Sequence, residues 1–272
     1  MALSKAEKAA YQDYIREYKT SIDEAGKRIK DSETKKKKMP AIANYFNLEV
    51  VTEYMRTIML YVSMSDASLD MLKIRNESHL NEGRKTFNKV LQLLEEVVGS
   101  DVDRSLNDNV EYLQRIEKVT PDKILQIVRN VNTVFNTLVE RMSGSKWKWA
   151  FVETYGRVAV ITKNLINFTD IQKYRDPRSD FYRDRQELLH LCKNSLKEAA
   201  QQYRTKYEQS TKVPGDILKS IELLVVLRKI HVLFGETEEA SKMKNTIDAL
   251  KQRLEAEEKE QEKEKEKKKK KS

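Results

Sequence analysis

An all-α fold is what this sequence predicts, and three observations carry it. Glycine and proline are scarce, seven and four among 272 residues, whereas all-β and Rossmann-type chains need more of both for their turns. Apolar residues recur at three- and four-residue steps over windows of about 20 residues, the period of a helix face. Charged residues make up 35% of the chain against 39% hydrophobic, a balance suited to long helices that each bury one stripe. The architecture expected is about nine helices in an irregular bundle or a stack of antiparallel hairpins, followed by a charged C-terminal tail. Along the chain this gives a heptad-patterned helix (1–38), a first helical part (39–143), a second (144–254) built around a central helix at 145–171, and a low-complexity tail (255–272).

The first helix begins at Ser4, where Ser4-Lys5-Ala6-Glu7 has the capping-box pattern. Tyr11, Ile15, Tyr18, Ile22, Ala25 and Ile29 then step in alternating fours and threes, a heptad seam for a helix of the same chain or of a second copy. Lys35–Lys38 and Met39-Pro40 end it. The second helix, from Ala41 or Asn47 to Arg75, turns Leu48, Val51, Met55, Ile58 and Val62 inward, with a methionine-rich centre. Glu77 to Val98 forms a third, closed by Gly99. Ser100 with Asp103 opens a fourth, with Val102, Leu106, Val110, Leu113 and Ile116 inward.

Thr120-Pro121 is an N-cap and first-turn pair for the fifth helix, which ends before Gly144. Ser145 caps the central helix, Ser145 to Ile171, where Trp147, Phe151, Tyr155, Val158, Ile161 and Leu165 share one face. Pro177 interrupts the chain, and Ser179 or Asp180 caps a seventh helix that extends to about Ser210. Val213-Pro214-Gly215 leads into an eighth ending at Phe234-Gly235, and a ninth carries Ala240, Met243, Ile247, Leu250 and Leu254. After Leu254 the apolar positions vanish. Glu-to-Lys spacings such as Glu255 to Lys259 support a fraying helical extension, and the final lysines are expected to be disordered.

In this last pair the string IELLVVLRKIHVLFGETEEASKM, with Leu223, Leu227, Phe234-Gly235 and Ala240, resembles the two-helix unit of a tetratricopeptide repeat. The resemblance covers the pair alone, and no second copy at a 34-residue period follows it. What it implies is an antiparallel helix hairpin.

Catalytic chemistry finds little to work with. Cys192 is the single cysteine, so there is no intramolecular disulfide framework and no cysteine-based zinc site. The glycines form neither a phosphate loop nor a dinucleotide fingerprint. His79, His190 and His231 fall on three different helices. Glu187 and His190 make one Glu-x-x-His pair, whereas di-iron bundles need two such pairs and two further carboxylates. His190 and Cys192, two apart, point to different helix faces and cannot act as base and nucleophile. No catalytic residue, metal site or cofactor is therefore assigned.

Surface chemistry offers more. The net charge is +9, and the lysines of two runs, Lys35, Lys36, Lys37, Lys38 and Lys267, Lys268, Lys269, Lys270, Lys271, equal that excess. The body between them is nearly neutral, so the runs are two candidate anion-binding patches on an otherwise balanced protein. In Lys146-Trp147-Lys148-Trp149 the two tryptophans lie about 200° apart on a helix. Trp147 joins the apolar face and Trp149 is the candidate surface aromatic. The N-terminus carries no apolar signal segment, and no apolar run approaches the ~20 residues of a membrane span, so a cytoplasmic protein is expected. Its expected role is non-catalytic, an interaction or scaffold protein whose apolar helix faces dock a protein partner or a second copy. The alternative is a peripheral binder of nucleic acid or anionic membrane surface through the lysine runs. An enzyme comes third.

Overall fold

A computed structural model of the chain describes residues 4–103, 105, 106, 109–144 and 147–269. Every regular element among them is helical. Helix α1 (Lys5–Tyr14) starts from the Ser4 capping box, with Glu7 N–H donating to Ser4 Oγ at 3.1 Å and Ser4 N–H donating to Glu7 Oε2 at 2.8 Å. It runs through Ile15 into α2 (Arg16–Lys38), since Ile15 N–H still donates to Tyr11 O and Lys19 N–H to Ile15 O. A single 3-10 turn at Pro40–Ile42 precedes the 30-residue α3 (Ala43–Leu72). Tyr11, Ile15, Ala25 and Ile29 of the heptad seam are buried, and α3 is the helix they meet.

Helix α4 (Glu77–Val98) ends at Gly99, whose φ of 80° suits a residue without a Cβ. Among the described residues the fourth helix expected from Ser100 does not begin there. Only α5 (Val110–Gln114) forms, because side chains of a distant helix hold the carbonyls upstream of it. Asn164 Nδ2 donates to Gly99 O at 3.0 Å, and Lys163 Nζ donates to Val102 O at 2.9 Å.

Helix α6 (Pro121–Arg141) follows the Thr120-Pro121 start. The expected central helix is shorter than 145–171 and divided: α7 (Ala150–Asn164) and α8 (Phe168–Lys173) are separate. Two groups cause the break. Asn109 Nδ2 donates to the carbonyls of Asn164 and Ile166 at 2.8 and 2.9 Å, occupying acceptors near the break. Asn167 then caps α8 by accepting from Asp170 N–H at 3.1 Å. Ser145, the expected cap, lies outside the described residues.

Helix α9 (Tyr182–Lys206) starts not from a Ser179 or Asp180 side-chain cap but from Phe181 in the left-handed region, φ 57°. It ends in a wider π turn, Tyr207–Thr211, rather than as α-helix to Ser210. Helix α10 (Pro214–Leu233) and α11 (Thr237–Lys269) pack together as the hairpin that the repeat resemblance implies. The final described turns of α11 include Lys267–Lys269, so these lysines continue the helix instead of leaving it.

The packing has a simple order. Helix α3 lies between α2 and α4; α9 lies between α7 and α10; α11 packs on α10. Helix α6 joins the two groups, touching α3, α4, α7 and α9. At that junction Phe135 of α6 is 1% exposed and meets Phe87 at 5.4 Å, Phe151 at 6.0 Å and Tyr155 at 4.7 Å between ring centroids. One apolar core runs from Leu48 to Leu250, and a small second cluster, Tyr11, Ile15, Met64 and Ala67, seats α1 on α3.

Candidate docking surface on helix α10

The lysines singled out by charge are distributed by the fold as follows. Lys35–Lys38 form the last turn of α2, where cations offset the negative end of the helix dipole. Lys35 pairs with Asp31 at 2.6 Å and Lys36 with Glu96 at 2.8 Å. The side chains of Lys267–Lys269, and Lys270 and Lys271 altogether, lie outside the described residues.

Trp149 and Trp147 both precede α7 in a turn, so the 200° helical argument separating them does not apply. Both are half-buried against the main core. The Lys148 ammonium lies 4.5 Å from the Trp149 ring centroid and the Arg84 guanidinium 4.0 Å from that of Trp147.

Glu187 and His190 do not share a site. Arg129 donates to Glu187 Oε1, from Nε at 2.8 Å, while His190 Nε2 is 2.9 Å from Asn194 Nδ2. Among the described residues no three His, Cys, Asp or Glu side chains converge in a way that suits a metal ion. Cys192 is completely buried, and burial pushes its thiol up to about 12.

Several polar clusters that the sequence hid fasten α9, α10 and α11. Burial raises the Glu236 carboxyl, but hydrogen bonds from Lys193 and His231 outweigh it and hold the group below the usual range. The contacts are Lys193 Nζ at 2.6 Å and His231 Nδ1 at 2.5 Å. Asp216, 7% exposed, accepts from Lys206 at 2.9 Å and from Thr211 at 2.6 Å. Arg253 of α11 donates to Glu208 of the π turn at 2.7 Å. These partners lie 5 to 45 residues apart, and helical periodicity is silent about such pairs. Asn109 and Asn164 each keep one buried carbonyl oxygen unpaired.

Beside α9 lies an open groove of about 710 Å³, floored by Phe135, Val158 and Leu224 and rimmed by Asn132, Asn194 and Gln201. Its charged neighbours, Lys197, Glu198 and Arg204, are spread along the rim of one helix. Amides over an apolar floor suit contact better than proton transfer.

Helix α10 carries exposed apolar side chains although most of it is buried. It is apolar on most sides because α9 covers one flank and α11 another. Yet Leu218 is 46% exposed and Val232 58%, and Val225 between them is half-buried. With Glu222 and Lys229, both exposed, these residues step by four, three, four and three. They fall within about 80° of one another around the helix. The stripe reads apolar, acidic, apolar, basic, apolar.

Fold and surface together define an all-helical protein that turns one apolar, charge-patterned helix face to solvent. The chain belongs to the TP0443 family, whose model matches residues 7–258. No curated protein and no solved structure matches it. Among the described residues no helix is long and apolar enough to cross a membrane.

Proposed function

We propose that this is a non-catalytic interaction protein of the cytoplasm, docking a protein partner or a second copy through the outward face of α10. The observation that carries the reading is the exposure of Leu218 and Val232, at 46% and 58%, on a helix otherwise committed to the core. Exposed aliphatic side chains alternating with charges can combine apolar burial with charge pairing in a modest protein interface. Polyanion binding through Lys35–Lys38 has weaker support, since Lys35 and Lys36 already face carboxylates.

A photo-crosslinking side chain placed at Leu218 or Val232 in cells tests the proposal, with Lys30 on the exposed side of α2 as comparison. Protein adducts are expected at the two α10 positions and not at Lys30. They should survive nuclease and about 1 M salt, because apolar burial is not screened. Adducts that vanish with nuclease or salt would favour the polyanion reading, and no adduct at either α10 position would remove the docking reading.

A further inference from the structure

The stripe on α10 has a symmetry that bears on what covers it. Centred on Val225, it places Leu218 seven residues before and Val232 seven after, Glu222 three before and Lys229 four after. A surface that pairs with its own copy about a two-fold axis must satisfy one condition: if residue i meets residue j, then j meets i. Reversing the stripe end to end and laying it on itself meets that condition for the apolar positions, and for the charged ones to within one residue. Leu218 lands on Val232 and Val225 on Val225, while Glu222 and Lys229, on the same flank of the helix, come together one residue, about 1.5 Å, out of register.

We infer that the occupant of this face is a second copy of the chain, with the two α10 helices antiparallel and crossing at Val225. This rests on α10 being the docking surface and adds the identity and direction of the partner. Charge complementarity decides the direction. A parallel arrangement sets Glu222 against Glu222 and Lys229 against Lys229, and like charges at such positions oppose association. The antiparallel one gives two acidic-to-basic contacts by symmetry.

Both charges are also available. Glu222 and Lys229 are exposed, and they form none of the ion pairs seen among the described residues, whereas Lys193, Lys206 and Arg253 nearby are all engaged. The seam from Leu218 to Val232 is about 21 Å long at 1.5 Å per residue, short for an obligate dimer, so the association is weak and reversible, with Kd on the order of 10 μM.

Sedimentation equilibrium of the full chain with two charge-reversal variants tests this. One variant is Glu222→Lys, which makes the charges of the stripe all positive. The other is Lys229→Glu, which makes them all negative. Both side chains are exposed, and circular dichroism checks that each variant folds. The wild type should dimerise, each variant alone should dimerise at least about tenfold more weakly, and the two mixed should form a one-to-one complex at least as tight as the wild type.

A wild type that stays monomeric to about 100 μM, variants that dimerise like the wild type, or a mixture that gives no complex would each overturn the inference. Crosslinking at Leu218 to a different protein, found together with a monomeric wild type, would sink self-pairing and leave the docking reading standing. No adduct of any kind would sink both.

Discussion

Replacing Phe135 by alanine probes the junction on which the helix order depends. The ring is 1% exposed and meets Phe87 nearly in parallel at 5.4 Å, with Phe151 and Tyr155 edge-on at 6.0 and 4.7 Å. Truncating a buried phenylalanine costs about 3–5 kcal/mol, from lost transfer energy and the cavity left behind. Phe135 also floors the open groove beside α9, so water can enter part of the vacated space, which places the cost near the lower end, about 3 kcal/mol. Urea denaturation followed by circular dichroism should show a lowered midpoint with an unchanged slope. A double-mutant cycle with Phe87→Ala should return a coupling of about 0.5–1.5 kcal/mol for the stacked pair. A cost below about 1 kcal/mol, or no coupling, would refute the placement of α6 as the link between the two groups of helices.

Other consequences are simpler to check. Gly26 lies in α2 with nothing within 4 Å of where a Cβ would stand, so Gly26→Ala should raise stability by about 0.5–1 kcal/mol in the same assay. Cys192 should resist a thiol reagent in the native protein and react at the rate of unfolding, since burial both shields the thiol and raises it to about 12; rapid native labelling would contradict its position. His79, stacked on Tyr61, is held below 6.5 by burial, with Lys19 adding to the effect. The unfolded chain therefore takes up the proton first, and stability should fall as pH drops below 6.5; His79→Phe should flatten that part of the melting-temperature profile. Glu236 is shifted the same way about 4.5, so its contribution is present above 4.5 and lost as pH falls through its depressed folded value. Glu236→Gln should make the acid limb shallower.

How much of this was legible beforehand can be seen element by element. The Ser4-Glu7 box, the Thr120-Pro121 start and the Gly99 stop are local chemistry, and each stands where the pattern puts it. Periodicity also found the α3, α4 and α6 stripes, since a helix half covered by neighbours needs one apolar side. It failed where distant side chains take over backbone groups. Asn109 reaches Asn164 and Ile166 across 55 and 57 residues and divides the central helix. Lys163 and Asn164 likewise hold the Gly99–Val102 segment out of helix.

The candidate surface was hidden for a different reason. In a helix flanked on two sides every position reads as core, so Leu218, Val225 and Val232 do not stand out from Ile217, Leu224 and Ile230. Only the order in which α9 and α11 pack reveals which stripe is left over. Trp149 drew attention by its neighbours in the chain, Lys146-Trp147-Lys148. The turn before α7 instead lets it settle half-buried.

The most direct test of self-docking through α10 is oxidative crosslinking of single cysteines in the otherwise unaltered chain. Native Cys192 is fully buried and does not compete. With the helices crossing at Val225, a Val225→Cys residue meets its own copy, within reach of the ~3.5–4.5 Å between Cβ atoms that a disulfide requires. A covalent dimer is expected from Val225→Cys, none from Leu218→Cys or Val232→Cys alone, and a dimer again when those two variants are mixed. No dimer at Val225, or equal dimer from every single variant, would contradict it.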